Sequence, residues 1–204
     1  MGKIYESIDE KLVEWIGRQY LFFVGTAPTG ADGHVNLSPK GMIDTFRILG
    51  PHEVAYLDFV GSGVETIAHL RENGRIVVMF CAFEGPPRTV RLHGRGSVTQ
   101  LGDPRFEELL GIFDLTPIET AGVQAGIRSI IQIQVRRIAD SCGYGVSLMR
   151  YEGERSQMSA WQNTQIKKYG PTALLDYSCH NNERSIDDLP GIQPERYPDK
   201  APVY

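Results

Sequence analysis

The sequence predicts a mainly β fold with flanking helices, an α+β arrangement whose antiparallel strands close into a barrel. Three observations carry this. Short runs rich in β-branched and aromatic residues recur along the chain, bounded by Gly- or Pro-bearing turns. Only two helical stretches interrupt them. No Gly-x-Gly-x-x-Gly stands at a strand-to-helix turn, which argues against a parallel dinucleotide-binding sheet.

Taken in order, Ser7 and Glu10 have the spacing of a capping box, and Leu12, Val13 and Ile16 fall on one helical face before Gly17. Tyr20 to Ala27 reads as a strand, and the turn Pro28-Thr29-Gly30-Ala31-Asp32-Gly33 suits a reversal into an antiparallel strand from His34 to Ser38. Further strands are expected at 45–49, 53–59, 75–83, 89–100 and 129–137. The helices are expected at 64–72, where Ser62 and Glu65 form a second capping box, and at 103–113, opened by Asp-Pro. Strands at this spacing with few helices favour a closed barrel over a sandwich.

After Tyr151 the composition changes. Gln157, Trp161, Gln162, Asn163, Gln165, Lys167 and Lys168 make a polar helix anchored by Trp161, and Pro and Asp become frequent beyond it. The expected organisation is therefore residues 1–150 as the barrel with its N-terminal helix, and residues 151–204 as a helical and irregular extension that wraps a partner subunit or closes the site.

Composition removes several function classes. With 204 residues, 41% apolar and 23% charged, the chain can bury one sizeable core. A net charge of -4 and the lack of a basic block argue against a nucleic-acid partner. The apolar runs fall far short of the ~20 residues of a membrane span, and the first residues lack a signal-peptide pattern, so no membrane association and a cytoplasmic location are expected. Cys81, Cys142 and Cys179 are widely spaced without a Cys-x-x-Cys pair, so no metal site is assigned, and Cys81 reads as a buried small residue.

The candidate ligand residues cluster in three segments. In Asn36-Leu37-Ser38-Pro39-Lys40-Gly41, alternation sends Asn36 and Ser38 to one side, and Pro39 ends the ladder so that Lys40 can turn toward a ligand. Ala55 to Thr66 carries Tyr56, Asp58 and the loop Gly61-Ser62-Gly63 before a helix. Arg88-Thr89-Val90-Arg91-Leu92-His93-Gly94 opens a strand with two cations on opposite faces.

In this order, the three segments resemble the flavin-binding split β-barrels of the pyridoxamine 5'-phosphate oxidase type, over about residues 21–137. The resemblance implies an antiparallel split barrel that binds FMN at the interface of a homodimer. It implies a flavin-dependent oxidoreductase acting on a small-molecule substrate and an electron donor, with the cofactor supplying the chemistry, so no catalytic side chain is named. The implied cofactor-binding residues are Asn36, Ser38, Pro39, Lys40, Tyr56, Asp58, Ser62, Gly63, Thr66, Arg88 and Arg91.

Several departures bear on that reading. Val35 stands where the family has an arginine, and Val64-Glu65-Thr66 replaces an Arg-Lys pair that grips phosphate. Glu65 would repel a phosphate, so Ser62 and Thr66 are the hydroxyl donors and Arg88 and Arg91 the replacement cations. Gln193 to Lys200 does not match the family's basic and aromatic substrate stretch, so vitamin B6 oxidation is not expected. A flavin carrier without turnover is the first alternative. The others are a deazaflavin protein and a haem protein using His34, His69, His93 or His180. Cys142-Gly143-Tyr144-Gly145-Val146 reads as a turn after the last strand.

Overall fold

The computed structural model describes residues 2–42, 44–120 and 122–193. The N-terminal part comprises β1 (Ile4–Tyr5), α1 (Glu10–Gly17), β2 (Phe22–Thr26), β3 (Asn36–Lys40), β4 (Phe46–Gly50) and β5 (Glu53–Phe59). Then follow α2 (Glu65–Glu72), β6 (Arg75–Cys81), β7 (Thr89–Gln100), α3 (Phe106–Leu110), α4 (Thr116–Thr120), β8 (Ile127–Ser141), α5 (Gln157–Tyr169) and α6 (Ala173–Asn181). All strand pairings are antiparallel, in the order β3-β2-β6-β7-β8-β5-β4, with β1 added beside β8.

The sheet does not close, contrary to the closed barrel expected from strand spacing. Among the described residues β3 and β4 end the strand path, each paired on one side only, and the short β1 pairs only with β8. Pro39 in β3 has no N–H to give a further neighbour, and β4 is irregular between Ile48 and Gly50. Residues 41–45 nevertheless join one edge directly to the other, a reach of at most about 22 Å, so the sheet must curl. The curl is filled by a cluster of rings. Phe22 meets Phe46 at 5.2 Å and Tyr56 at 5.5 Å, and Phe46 meets Phe80 edge-on at 5.1 Å, an arrangement aromatic quadrupoles favour.

Strand β5 is buried on both faces, which explains its run of apolar residues. Val54 and Tyr56 face the interior with Val24, Val78, Leu92 and Ile131. Ala55 and Leu57 face a second core, closed by Phe106 and Leu109 of α3, Ile118 of α4 and Phe113 from the turn between them. This second core fixes the far end of β5, where the candidate site begins.

The long strands β7 and β8 form the spine. Their register shifts between His93 and Gly94, so that Arg136 is the extra residue of a bulge. A Cβ on Gly94 would overlap the carbonyl oxygen of Gln134 and lie 2.8 Å from Ile133 Cγ2. Gly94→Ala is therefore expected to destabilise the protein by about 2–3 kcal/mol in urea unfolding, since the obstacle is backbone and cannot rotate away.

Several local expectations shift. Asp9, not Ser7, caps α1, its carboxylate accepting from Leu12 N at 2.8 Å, and Val13 is exposed. Helix α3 is shorter than expected because Asp103 closes a turn on Gln100 N instead of capping. Val64 precedes α2 without a side-chain cap, so the Ser62–Glu65 box does not form. Helix α5 matches the polar helix, and Trp161 anchors it edge-on to Tyr177 of α6 at 5.0 Å. Cys81 is buried, and the 142–146 segment turns, with Val146 N donating to Gly143 O. Residues 194–204, part of the proposed extension, lie outside the described residues. No helix of the described residues is long and apolar enough to cross a membrane.

Candidate functional site

A cleft of about 420 Å³ opens where the C-terminal end of β3 meets the loop leaving β5. Ser38, Pro39 and Lys40 form one wall, Gly61 to Gly63 and Thr66 another, and Met158 of α5 also lines the cleft. Alternation explains the first wall: Ser38 and Lys40 point the same way along an edge strand that Pro39 keeps free of a neighbour. The glycine loop brings bare backbone to the second wall. A Cβ on Gly61 would meet nothing closer than Phe59 O at 3.9 Å, and one on Gly41 nothing closer than 3.8 Å.

Beneath the cleft lies a buried ion cluster centred on Asp58. Its carboxylate accepts from Lys40 Nζ at 2.9 Å, from Arg128 Nε at 2.7 Å and from Ser129 Oγ at 3.2 Å. Arg128 is buried too, and it donates to Asn182 Oδ1 at 2.9 Å and to Gly63 O at 2.8 Å. Burial alone would raise the Asp58 carboxyl pKa. The adjacent charges of Arg128 and Lys40 more than offset this and hold it well below the ordinary carboxylate range. Asn182 Nδ2 also donates to Gly61 O at 3.1 Å, so the segment after α6 fixes the glycine loop from outside.

The charge of the cleft is balanced. Lys40 and Arg128 supply two positive groups, Asp58 and Glu65 two negative ones. Glu65 lies against Gly63, where an added Cβ would overlap its carboxylate, and it accepts from Ile186 N at 3.3 Å. A carboxylate therefore already sits at the N-terminus of α2, where the helix dipole attracts anions.

A chain of polar side chains runs inward from the cleft. Ser38 Oγ donates to Asn36 Oδ1, and Asn36 Nδ2 donates to Thr26 Oγ1 and to Thr66 Oγ1, each at 3.0 Å. Thr26 Oγ1 shares a 2.9 Å hydrogen bond with His69 Nδ1. The other nitrogen of His69 is buried without a hydrogen bond, 4.0 Å from Asp187 Oδ2, and Asp187 is bound by His34. Burial pushes the His69 imidazole below its ordinary pKa, against the pull of Asp187, Glu65 and Glu72.

The sign of the consequence follows from that shift. Above about pH 6.5 both folded and unfolded forms hold a neutral imidazole, and below it the unfolded chain takes the proton first. His69 should therefore cost stability as the pH falls from about 7 to 5. Comparing urea midpoints of the protein and His69→Gln over that range should show a larger acid loss in the unsubstituted protein; parallel losses would contradict it.

The predicted residues separate into groups. Ser38, Pro39, Lys40, Ser62, Gly63 and Thr66 line the cleft. Asn36 and Asp58 lie directly behind it and hold Ser38, Thr66 and Lys40 in place. Tyr56 is fully buried in the ring cluster of the barrel, where β5 alternation puts it. Arg88 and Arg91 are not brought to the cleft of their own chain. Arg88 pairs with Asp140 at 3.3 Å, and Arg91 donates to Ser141 Oγ at 3.2 Å. Besides Lys40, the cation that reaches the site is Arg128, at the start of the apolar run 127–133. A charge opening such a run is the signal that could have marked it. Nothing local in the sequence points to Asn182 or Met158.

The molecule is thus an open, curled antiparallel sheet with a glycine-lined, hydroxyl-bearing cleft where β3 meets the loop after β5. The chain belongs to the pyridoxamine 5'-phosphate oxidase family, whose model matches residues 8–142. It is 38% identical to the pyridoxamine 5'-phosphate oxidase family protein ustO of Aspergillus flavus, over 94% of this chain and 78% of that protein. Among solved structures, it is similar to a protein related to general stress protein 26 from Clostridium acetobutylicum (TM-score 0.48, 16% identity, 66% of this chain and 91% of that one). An FMN-binding protein from Syntrophomonas wolfei gives a TM-score of 0.44 at 15% identity, covering 66% and 82%. A FAD-binding protein from Mesorhizobium loti gives 0.47 at 11%, covering 69% and 96%.

Proposed function

We propose that the cleft between β3 and the 61–66 loop binds FMN and that the protein is a flavin-dependent oxidoreductase working as a homodimer. The observation that carries this is the convergence of Ser38, Lys40, Ser62 and Thr66 on one glycine-backed cleft in a chain of this family. The residues fit the group. The open Cβ directions at Gly41 and Gly61 leave flat backbone for a planar ring, and the hydroxyls of Ser62 and Thr66 line the cleft as hydrogen-bond donors for a phosphate. Lys40, fixed by Asp58, adds the cation facing the cleft.

Bound flavin would supply the hydride or electron transfer. The chain's own residues would bind and orient it, and Met158 would restrict water at the mouth. Because Glu65 and Asp58 balance Lys40 and Arg128, the phosphate would be held by directed hydrogen bonds, one of them charge-assisted from Lys40, rather than by a net positive field. The dimer is supported by Val35, just before β3, and Leu37 within it, apolar residues 77% and 65% exposed beside a free sheet edge.

The test is a pair of fluorescence titrations, with FMN and with riboflavin, which lacks the phosphate. Lys40→Ala should weaken FMN about tenfold, the value of one charge-assisted contact, and leave riboflavin unchanged. Equal weakening of both, or none, would remove Lys40 from the phosphate end. Asp58 keeps Arg128 as its partner in this variant, so the fold should persist.

A further inference from the structure

A second and larger cavity, about 930 Å³, lies on the other side of Gly41 and shares no lining residue with the cleft. Its walls come from the end of α1, the connection between β6 and β7, and the segment 149–151. These three pieces are tied together. Met149 N donates to Phe83 O at 2.9 Å, Tyr151 N donates to Glu84 Oε1 at 3.1 Å, and the ring of Tyr151 stacks on Tyr20 at 3.8 Å and 6°. Arg88 is held rigidly as well: its guanidinium lies 4.9 Å over the Trp15 ring and donates to Tyr5 Oη at 2.6 Å.

The lining is aromatic and cationic at once. Trp15, Tyr20, Phe83 and Tyr151 supply flat faces, and Arg18, Arg88 and Arg150 stand against a single acid, Glu84, which is already bound by Tyr151 N. Asp140 neutralises Arg88 and Glu14 faces Arg18, whereas Arg150 has no ion pair among the described residues. A cavity of this size, with aromatic walls and a guanidinium that has no ion pair among the described residues, fits a flat apolar body carrying a negative group.

We propose that this cavity is a binding site for a planar aromatic carboxylate, with the ring system against the tyrosine and indole wall and the carboxylate on Arg150. The site is independent of the flavin reading, because its residues are not those of the cleft. Arg150 forms the anion contact, and Tyr20 and Tyr151 form the stacking surface.

The experiment is calorimetric titration of the full chain with 2-naphthoate and with its neutral counterpart 2-naphthalenemethanol. Saturable binding of 2-naphthoate at one site per chain is expected, with the alcohol about tenfold weaker. Arg150→Ala, at an exposed position, should remove that preference while leaving the alcohol's affinity unchanged, and Tyr20→Ala should weaken both. Saturating FMN should not displace 2-naphthoate. Absence of binding, equal affinity for acid and alcohol, an undiminished preference in Arg150→Ala, or displacement by FMN would each overturn the proposal.

Discussion

Asp58→Ala is expected to lower stability by about 3–5 kcal/mol, the usual cost of leaving a buried charge without its partner. The carboxylate is 1% exposed and Arg128 7% exposed, so water cannot replace what is lost. Arg128 would keep only the carbonyl of Gly63 and the amide oxygen of Asn182, neither of which carries charge. Asp58→Asn should cost nearly as much, which separates loss of charge from loss of volume. Because the folded carboxyl is held below its ordinary pKa, its stabilisation is complete above about pH 4 and is lost as the pH falls further. Urea unfolding with an unchanged m-value checks the figure, and a loss under about 1 kcal/mol would show that the cluster is not the keystone of the cleft.

Gly61→Val is the second large effect, and it falls on binding. The added side chain meets no atom nearer than 3.9 Å at its Cβ, so the fold should accept it, while its methyls enter the space assigned to the ligand. FMN affinity should fall at least about a hundredfold with an unchanged urea midpoint, since a steric block at a bare backbone wall cannot be relieved by a rotamer change. Retained affinity in a folded variant would place the ligand elsewhere.

Much of the strand placement along the chain is legible in the sequence because its signals are local. Glu53–Phe59 and Thr89–Gln100 coincide with runs of β-forming residues bounded by turns. The wall at Ser38 and Lys40 follows from period-2 alternation alone. What could not be read depends on contacts distant in sequence. Asp58 meets Arg128 across 70 residues, and Asn182 reaches Gly61 across 121. Arg88 and Arg91 sit in a cation-rich strand that resembles the family's, yet the sheet order places β7 two strands away from β2 and commits both side chains to other partners. Closure is not legible, because strand spacing counts strands but does not say whether the last edges meet; Pro39 is the local sign against it.

The most direct test of the central claim, that the β3 cleft holds FMN, is the absorption spectrum of the freshly purified protein with mass analysis of what heat releases from it. The expected result is the two-band yellow spectrum of a flavin with release of FMN, or reconstitution of that spectrum when FMN is added. A colourless protein that leaves the fluorescence of added FMN unquenched would contradict it.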